Sequence, residues 1–203
     1  MSDITDIILT KASQLMERYG ISSVTMDDIA KECHISKRTL YEQIPDKRTL
    51  VWHCILYNHK RRQDEALILV NKAESTLDAL LRIYRNARKG LTESSSIFFK
   101  DLHRLYPDIE KMCRDIHQEQ SKSFGEYLTK GVNEGMFRAD IDFDLAAKIF
   151  MAQSNAIMKE LSTTNEPQMI AKTMSTAFII FLRGIATQKG LEIIDDFFKE
   201  NNI

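Results

Sequence analysis

The chain has 203 residues, of which 43% are apolar, and it contains only 7 Gly and 3 Pro. A chain of this length buries a sizeable core, and a composition so poor in helix-breaking residues is typical of a helical protein of one or two domains. The formal net charge of −1 means that composition alone does not indicate a nucleic-acid binder or a protein of the membrane surface.

The three cysteines, Cys33, Cys54 and Cys113, lie far apart and form no CxxC pair. This usage argues against a disulfide framework and fits a reducing cytosol. No apolar run approaches the ~18 residues that a membrane span needs. The opening residues MSDITD are acidic, where a signal peptide would be basic. We therefore expect a cytoplasmic protein without a membrane partner.

Charge is distributed unevenly along the chain. When Lys and Arg are counted against Asp and Glu, residues 1–33 carry 3 against 6 and residues 34–62 carry 7 against 2. The two segments therefore have net charges of 3 − 6 = −3 and 7 − 2 = +5. A basic block follows the first helix that the sequence predicts.

That first helix is predicted by an apolar stripe that runs from Ile4 to Tyr19 at i, i+3 and i+4 spacings and stops at Gly20. Thr25 then stands three residues before Asp28, as in a capping box, and predicts a helix of about two turns over residues 25–33.

The next residues predict a sharp turn and two further helices. Only His34 and Ile35 connect the second and third helices, and two residues allow only a sharp turn. Ser36 can then cap the third helix, which runs to about Ile44. Pro45 ends that helix, and Asp46 caps a fourth helix that continues to about residue 72. Two short helices joined by a tight turn and braced on both sides predict a helix-turn-helix bundle.

The third helix has one apolar face and one polar face. Ile35, Leu40 and Ile44 can point inward. The residues that then face outward are Lys37, Arg38, Thr39, Tyr41, Glu42 and Gln43. Such a helix fits the DNA major groove, where Arg and Lys bind guanine, Gln pairs with adenine, and Thr or Tyr contacts bases or phosphates. A solvated, charged helix face is the alternative reading of the same residues.

The rest of the chain predicts longer helices. Apolar spacing marks residues 77–87 and 98–105, with the cluster Ser94, Ser95 and Ser96 between them. Pro107 suits the first turn of a long helix that ends near Gly135. Asp144 opens a helix to residue 161, Pro167 starts another to residue 187, and a short helix covers residues 191–198. The fold class expected is all-α.

The stretch TMDDIAKExxISKRTLYxxIPDKRTL, from residue 25 to residue 50, resembles the N-terminal DNA-binding domain of the TetR/AcrR family of bacterial transcriptional regulators. GMFRADIDFDLAAKIF at residues 135–150 and FLRGIATQKG at residues 181–190 resemble stretches of that family's C-terminal domain. The resemblance implies a DNA-binding domain over residues 1–46 and an effector-binding and dimerisation domain over residues 47–203.

The resemblance also implies which residues contact DNA. It makes Ser36–Ile44 the recognition helix, with Lys37, Arg38 and Thr39 near base edges or adjoining phosphates. Thr25, Tyr41 and Lys47 fall where the family contacts the phosphate backbone. Lys47 also has a physical rationale, because helix-terminal amides and an ammonium together suit a phosphate oxygen.

Two positions depart from the family pattern. His34 stands where the family usually has Gly in the turn, and Ile44 stands where it usually has Phe. Histidine tolerates a positive φ better than most residues, and Ile44 is smaller but still apolar. We expect the turn to form at some strain.

The resemblance implies a homodimer, paired through the helices at 144–161 and 167–187 into a four-helix bundle. Those two helices carry more apolar surface than one core-facing stripe requires. A two-fold dimer places both recognition helices on one side of double-stranded DNA, so a palindromic operator is expected.

The family places a small-molecule effector among its middle helices. The residues implied here are rich in aromatic and Met side chains, which suits an apolar or aromatic ligand: Phe98, Phe99, Leu102, Tyr106, Met112, Phe124, Tyr127, Met151 and Met158. Plain core packing is the alternative for each of them. The expected mechanism is a repressor in which the ligand tilts the helix that starts at Asp46 and changes the separation of the two recognition helices.

Two other functions remain open from the sequence. A regulator controlled by a protein partner would keep the DNA binding without the ligand. An enzyme or metal protein has less support, because the chain lacks GxSxG, HExxH and a Gly-rich phosphate loop. Cys113 and His117 share a helix face at i, i+4, with His103 nearby, but two ligands do not make a metal site. We expect no enzyme activity, no cofactor and no metal.

Overall fold

The computed structural model describes residues 3–93, 96–161 and 167–200. Within these ranges, the side chains at positions 3, 89–93, 96, 114, 117–119, 158, 161 and 167 lie outside the description. The described ranges form α-helices without a β-strand, which confirms the all-α fold class. No helix among them is long and apolar enough to cross a membrane.

The helices are α1 Asp3–Tyr19, α2 Met26–Glu32, α3 Lys37–Gln43, α4 Lys47–Asn71, α5 Thr76–Glu93, α6 Ser96–Leu105, α7 Pro107–Asn133, α8 Phe143–Leu161, α9 Pro167–Ile185 and α10 Gln188–Glu200.

Glycine ends two of these helices and proline begins one where the sequence predicts. Gly20 follows α1 with a φ of +83°, and Gly135 follows α7 with a φ of +71°. Both values lie in the left-handed region that glycine adopts without steric cost, which stops a helix. Pro107 is the first residue of α7, as expected for a residue whose φ suits a first turn and whose missing N–H is not needed there.

Two predicted bounds are wrong in detail. Asp144 does not open α8, because Asp142 is its cap: the Leu145 N–H donates to Asp142 Oδ1 at 3.0 Å. The short helix predicted at 191–198 is longer, since α10 covers Gln188–Glu200 and the Thr187 hydroxyl accepts the Gly190 N–H at 3.2 Å. The predicted break at Ser94 and Ser95 lies outside the described residues.

The chain divides into two compact units, and the first is drawn from residues 3–65 and 96–111. In this unit α1 packs against α2 and α6, and α2 packs against α3. Its core includes side chains with no exposed surface: Ile8, Leu9, Met16, Ile29, Leu40, Ile44 and Leu50. The two units are defined by contacts within the protein and not by function. The predicted boundary at residue 46 between a DNA-binding and an effector-binding domain therefore stays a prediction.

The second unit is drawn from residues 66–93, 112–161 and 167–200. Here α9 packs against α5 and α8, and α10 packs against α5. Its core cluster is Leu77, Leu80, Leu81, Tyr84, Leu128, Met136, Phe137, Phe143, Ala147, Leu182, Ile185, Ala186, Ile194 and Phe198.

Backbone hydrogen bonds join the turn after α7 to the connection between α9 and α10. The Arg138 N–H donates to the Ile185 carbonyl at 2.9 Å, and the Thr187 N–H donates to the Met136 carbonyl at 3.0 Å. Gly131 lies under Phe137, because a Cβ at residue 131 would stand 2.3 Å from Phe137 Cδ2. The two C-terminal stretches that carry the resemblance are therefore in direct contact.

Candidate nucleic-acid interface

The start of α2 is fixed by a reciprocal pair of side-chain hydrogen bonds. The Asp28 N–H donates to Thr25 Oγ1 at 3.2 Å, and the Thr25 N–H donates to Asp28 Oδ2 at 2.9 Å. This is the predicted capping box. The hydrogen bonds from Thr25 lower the pKa of Asp28 below its ordinary value, so the cap is charged at neutral pH.

His34 shapes the turn between α2 and α3. Its φ of 54° makes it the one non-glycine residue with a positive φ in the described part of the chain. The His34 N–H donates to the Lys31 carbonyl and the Ile35 N–H to the Ala30 carbonyl, both at 3.0 Å. This pair of bonds is a Schellman motif, which ends a helix with a left-handed residue. The turn therefore forms as expected, with His34 in the left-handed conformation, and the strain expected there stays a prediction.

Helix α3, the predicted recognition helix, begins with a side-chain cap. Ser36 Oγ accepts the Thr39 N–H at 3.0 Å, which satisfies one of the N–H groups that have no partner within the first turn of α3. Within α3 only Leu40 is buried, and Ile44 is buried at the end of the helix. A helix anchored by so few apolar contacts presents most of its side chains outward.

The seven residues predicted to contact DNA all lie in the first unit. Thr25, Ser36, Lys37, Arg38 and Tyr41 are exposed, whereas Thr39 and Lys47 are half-buried. Their contact with DNA stays a prediction. The basic run Lys60, Arg61 and Arg62 is exposed on α4, and Arg61 lies 3.8 Å from Glu65.

Thr39 is tied down more closely than the helical pattern indicates. Its hydroxyl oxygen lies 2.8 Å from Ser36 Oγ, so the two hydroxyls share a hydrogen bond across the first turn of α3. Any contact of Thr39 with a base therefore starts from an ordered rotamer.

Lys47 stands in an environment that acts on its charge in two directions. The pKa of its ammonium is lowered, because the effect of burial exceeds the opposing effect of the nearby Asp101 and Asp28 carboxylates. Lys47 is thus a half-buried lysine at the start of α4 with acidic residues nearby. It therefore suits the predicted contact with a phosphate oxygen.

Asp101 of α6 is a functional candidate that the sequence did not indicate. Its side chain is buried, Oδ2 accepts the Ser22 N–H at 2.7 Å, and Oδ1 lies 3.1 Å from Arg104 Nη2. Burial opposes ionisation of Asp101, but the bonds from Ser22 and Arg104 outweigh it and lower its pKa. Asp101 fixes the loop that leads into Thr25.

Gly20 allows this close approach of α6. A Cβ at residue 20 would lie 2.3 Å from Ile97 Cγ2 and 2.8 Å from Asp101 Oδ2. Its positive φ requires glycine for a second reason. Sequence spacing predicts that Gly20 ends α1, but it does not predict the contact of Gly20 with α6.

Carboxylates pair with the basic side chains around α3. Lys37 forms an ion pair with Asp27 of α2, and Arg38 Nε lies 2.8 Å from Glu42 Oε1. At the start of α4, Arg48 forms an ion pair with Asp108. Only the Arg38 pair, at i, i+4 on one helix, could be found from sequence spacing.

The residues predicted to bind a ligand are divided between the two units. Phe98, Phe99, Leu102 and Tyr106 belong to the first unit, and Met112, Phe124, Tyr127 and Met151 to the second. Met112 is exposed and Leu102 is buried, while the other described members are partly buried. The Met158 side chain lies outside the described residues. Ligand binding by this set stays a prediction.

A chain of aromatic rings runs through the second unit. Tyr84 stacks on Phe178 with 4.8 Å between ring centroids, and Phe150 stacks on Phe181 at 4.6 Å. Phe124 lies about 6 Å from both Phe150 and Phe181, at 6.0 and 6.1 Å. Of these rings only Phe124 was among the predicted ligand residues, because helical spacing does not show which rings meet.

One face of α8 and of α9 leaves large apolar side chains in solvent. Leu145 and Ile149 on α8 are 54% and 59% exposed, and Met169 and Ile180 on α9 are 46% and 65% exposed. These two helices pack against each other within the protomer. Their outward apolar side chains are available to a further surface.

No three His, Cys, Asp or Glu side chains come together as a metal site among the residues that the structure describes. His103 Nδ1 lies 2.9 Å from Glu110 Oε2. The His117 side chain, one half of the Cys113 and His117 spacing, lies outside the description.

Comparison with known proteins gives a sequence match at the N-terminus. Residues 8–53 match the family model described as bacterial regulatory proteins, tetR family. The match covers α2 and α3 completely and begins within α1. A comparison with curated proteins by sequence found no match.

Most of the chain is similar in fold to solved structures of transcriptional regulators. A transcriptional regulator from Cytophaga hutchinsonii is 20% identical with a TM-score of 0.73, over 90% of this chain and 98% of that one. A TetR-family regulator from Agrobacterium tumefaciens is 19% identical with a TM-score of 0.66, over 91% and 98%. Thermus thermophilus FadR, a TetR-family repressor in complex with lauroyl-CoA, is 16% identical with a TM-score of 0.59, over 90% and 95%. The chain has the fold of these transcriptional regulators.

Proposed function

We propose, from its TetR-family N-terminal domain and its fold shared with TetR-family transcriptional regulators, that the chain is a sequence-specific DNA-binding repressor. The observation that carries this proposal is the exposure of α3. Capped by Ser36 and anchored by Leu40, the helix presents Lys37, Arg38 and Tyr41 away from the core. A short polar helix held in this way matches the element that reads base edges in the major groove.

The residues around α3 have complementary roles in this proposal. Lys37, Arg38 and Thr39 contact base edges or adjoining phosphates. Ser36, Thr25, Tyr41 and Lys47 contact the backbone and set the register of the protein on the duplex. Because phosphate contacts displace counterions, affinity for DNA should fall steeply as salt is added.

The exposed apolar face of α8 and α9 supports a homodimer. Leu145, Ile149 and Ile180 are large apolar side chains that a second copy of the same face would cover. A two-fold pair places two recognition helices about one helical turn of DNA, or a multiple of it, apart. The operator is therefore a palindrome.

A small apolar or aromatic ligand releases the operator. The aromatic rings of the second unit, with Phe124 among them, supply surface for such a ligand. The lauroyl-CoA complex of Thermus thermophilus FadR supports an apolar ligand for this fold. Ligand binding shifts the population towards a conformation in which α4, starting after Asp46, has tilted and the two recognition helices no longer match the operator.

The test is a selection of random duplex DNA on the purified protein. A variant with Lys37, Thr39 and Tyr41 replaced by Ala is run beside it. The matched control replaces Lys60, Arg61 and Arg62, which are exposed on α4 outside the candidate interface. The proposal expects one palindrome to be enriched by the native protein and the control but not by the α3 variant. Absence of binding even at low salt would contradict it.

A further inference from the structure

Two cations of the candidate interface are already paired with carboxylates in the free protein. Lys37 is paired with Asp27 from α2, and Arg38 with Glu42 from the next turn of α3. The Lys37 and Arg38 side chains are nevertheless 64% and 88% exposed. DNA can therefore reach both cations, but it meets each of them with a carboxylate in place.

A carboxylate and a phosphate oxygen compete for the same hydrogens of an ammonium or a guanidinium. Both are oxyanions, and both are recognised by charge-assisted hydrogen bonds. For DNA to bind Lys37 or Arg38, an ion pair of the protein must be exchanged for one with DNA. The net gain is smaller than for an unpaired cation.

We propose that Asp27 and Glu42 weaken the sequence-independent affinity of α3 for DNA. The proposal rests on the proposed function of DNA recognition by α3. A non-cognate duplex offers only phosphates, and the exchange with two exposed ion pairs lowers its affinity by about two- to fivefold for each pair. The same exchange precedes binding to a cognate site, but there a bidentate base contact favours binding by about five- to 150-fold and outweighs the loss.

The exchange of ion pairs also affects how the affinity for DNA depends on salt concentration. A free cation that contacts a phosphate releases a DNA counterion, which steepens the plot of log affinity against log salt by about one for each contact. When the cation leaves Asp27 or Glu42, that carboxylate takes up a cation from solution. The release and the uptake offset each other, so the paired residue contributes little to the slope.

The test uses the full-length protein and a fluorescein-labelled duplex of scrambled sequence, with binding followed by fluorescence anisotropy over a salt series. The variants are Asp27→Asn, Glu42→Gln and both together. The matched control is Glu32→Gln, which also removes one negative charge from the first unit. The cation that it frees is Lys11 of α1, whose Nζ lies 3.1 Å from Glu32 Oε1. Circular dichroism checks that each variant is folded.

Asp27→Asn and Glu42→Gln should each bind the scrambled duplex about two- to fivefold more tightly at low salt. The plot of log affinity against log salt should be steeper by about one for each. Glu32→Gln should leave the slope unchanged. In a Lys37→Met background, Asp27→Asn should lose its effect on the slope, because the cation that it frees is gone.

Three outcomes would overturn the inference. If the slopes of Asp27→Asn and Glu42→Gln equal that of the native protein, the ion pairs do not compete with DNA. If Glu32→Gln steepens the slope equally, only the net charge of the unit matters. If native protein and variants alike fail to bind any duplex at low salt, the proposed function itself fails, and the inference fails with it.

Discussion

His34 has a left-handed backbone conformation that glycine would adopt at lower cost. A non-glycine residue in this conformation destabilises the folded protein by about 1–2 kcal/mol. Glycine avoids that cost, but its greater conformational freedom in the unfolded chain destabilises the folded protein by about 0.5–1 kcal/mol. His34→Gly should therefore raise the free energy of unfolding by about 0.5–1 kcal/mol, measured by urea denaturation. His34→Ala is the control, since it keeps the strain. Equal stability of the two variants would show that the turn is unstrained.

Cys54 is a thiol that the fold makes unreactive. It is 1% exposed in the first unit, and burial raises its pKa to about 12. Because the thiolate is the reactive form, almost none is present at pH 8. Iodoacetamide should leave Cys54 unmodified in the native protein and modify it in urea, as read by peptide mass spectrometry. Modification at equal rates in both states would show that the site opens readily.

Gly131 is a contact position where α7 meets the turn that follows it. Gly131→Ala would place a Cβ 2.3 Å from Phe137 Cδ2, and Phe137 is buried in the core cluster. We expect a loss of about 1–3 kcal/mol in the free energy of unfolding, as in other overpacked cores. The control is Gly184→Ala on α9, where an added Cβ meets nothing within 4 Å. An equal loss in both variants would show that the contact with Phe137 is not the cause.

The bond between α6 and the α1–α2 loop should depend on pH. Asp101→Asn keeps an acceptor for the Ser22 N–H but removes the charge, so the variant should lose about 1–2 kcal/mol at pH 7. The folded pKa of Asp101 is lowered, so its contribution is present above the unfolded value of about 4 and is lost as the pH falls through the folded pKa.

The difference between native protein and Asp101→Asn in urea denaturation should therefore shrink below about pH 4. Asp195→Asn is the control, because Asp195 forms an exposed ion pair with Arg183 and should contribute less than about 1 kcal/mol. A difference for Asp101→Asn that stays constant from neutral to acid pH would mean that its charge does not stabilise the loop.

At the scale of the whole molecule, the apolar face of α8 and α9 predicts the oligomeric state. Ile180 is 65% exposed in the protomer, and Ile180→Glu would put a charge into a dimer interface of apolar side chains. Sedimentation velocity should give a dimer for the native protein and a monomer for this variant. Ile68→Glu is the control, at a residue that is 53% exposed on α4. A monomeric native protein would contradict the proposed homodimer.

Local signals predicted the elements of this fold well. Gly20, Thr25, Ser36 and Gly135 end or begin helices because their own side chains or φ values act within a few residues of the helix end. The α8 cap was misplaced by two residues because Asp142 and Asp144 are both acidic and both near the start, and the sequence does not show which one bonds the backbone.

The surroundings of the candidate interface could be predicted less well. The exposed residues of α3 follow from helical spacing, but Asp27 and Asp101 reach their partners through tertiary packing of α2 on α3 and of α6 on α1. Asp101 is 79 residues from Ser22 along the chain. Periodicity shows which face of a helix is apolar and not which distant residue that face meets.

The first unit is discontinuous in sequence, since residues 96–111 complete what residues 3–65 begin. The ribosome therefore synthesises α3 long before Asp101, whose carboxylate accepts the hydrogen bond from the Ser22 N–H. Until then Gly20 and Ser22 lack the packing of α6, and the nascent unit cannot reach its final stability. An isolated fragment that stops at residue 65 would remain in that incomplete state, however long it was given to fold.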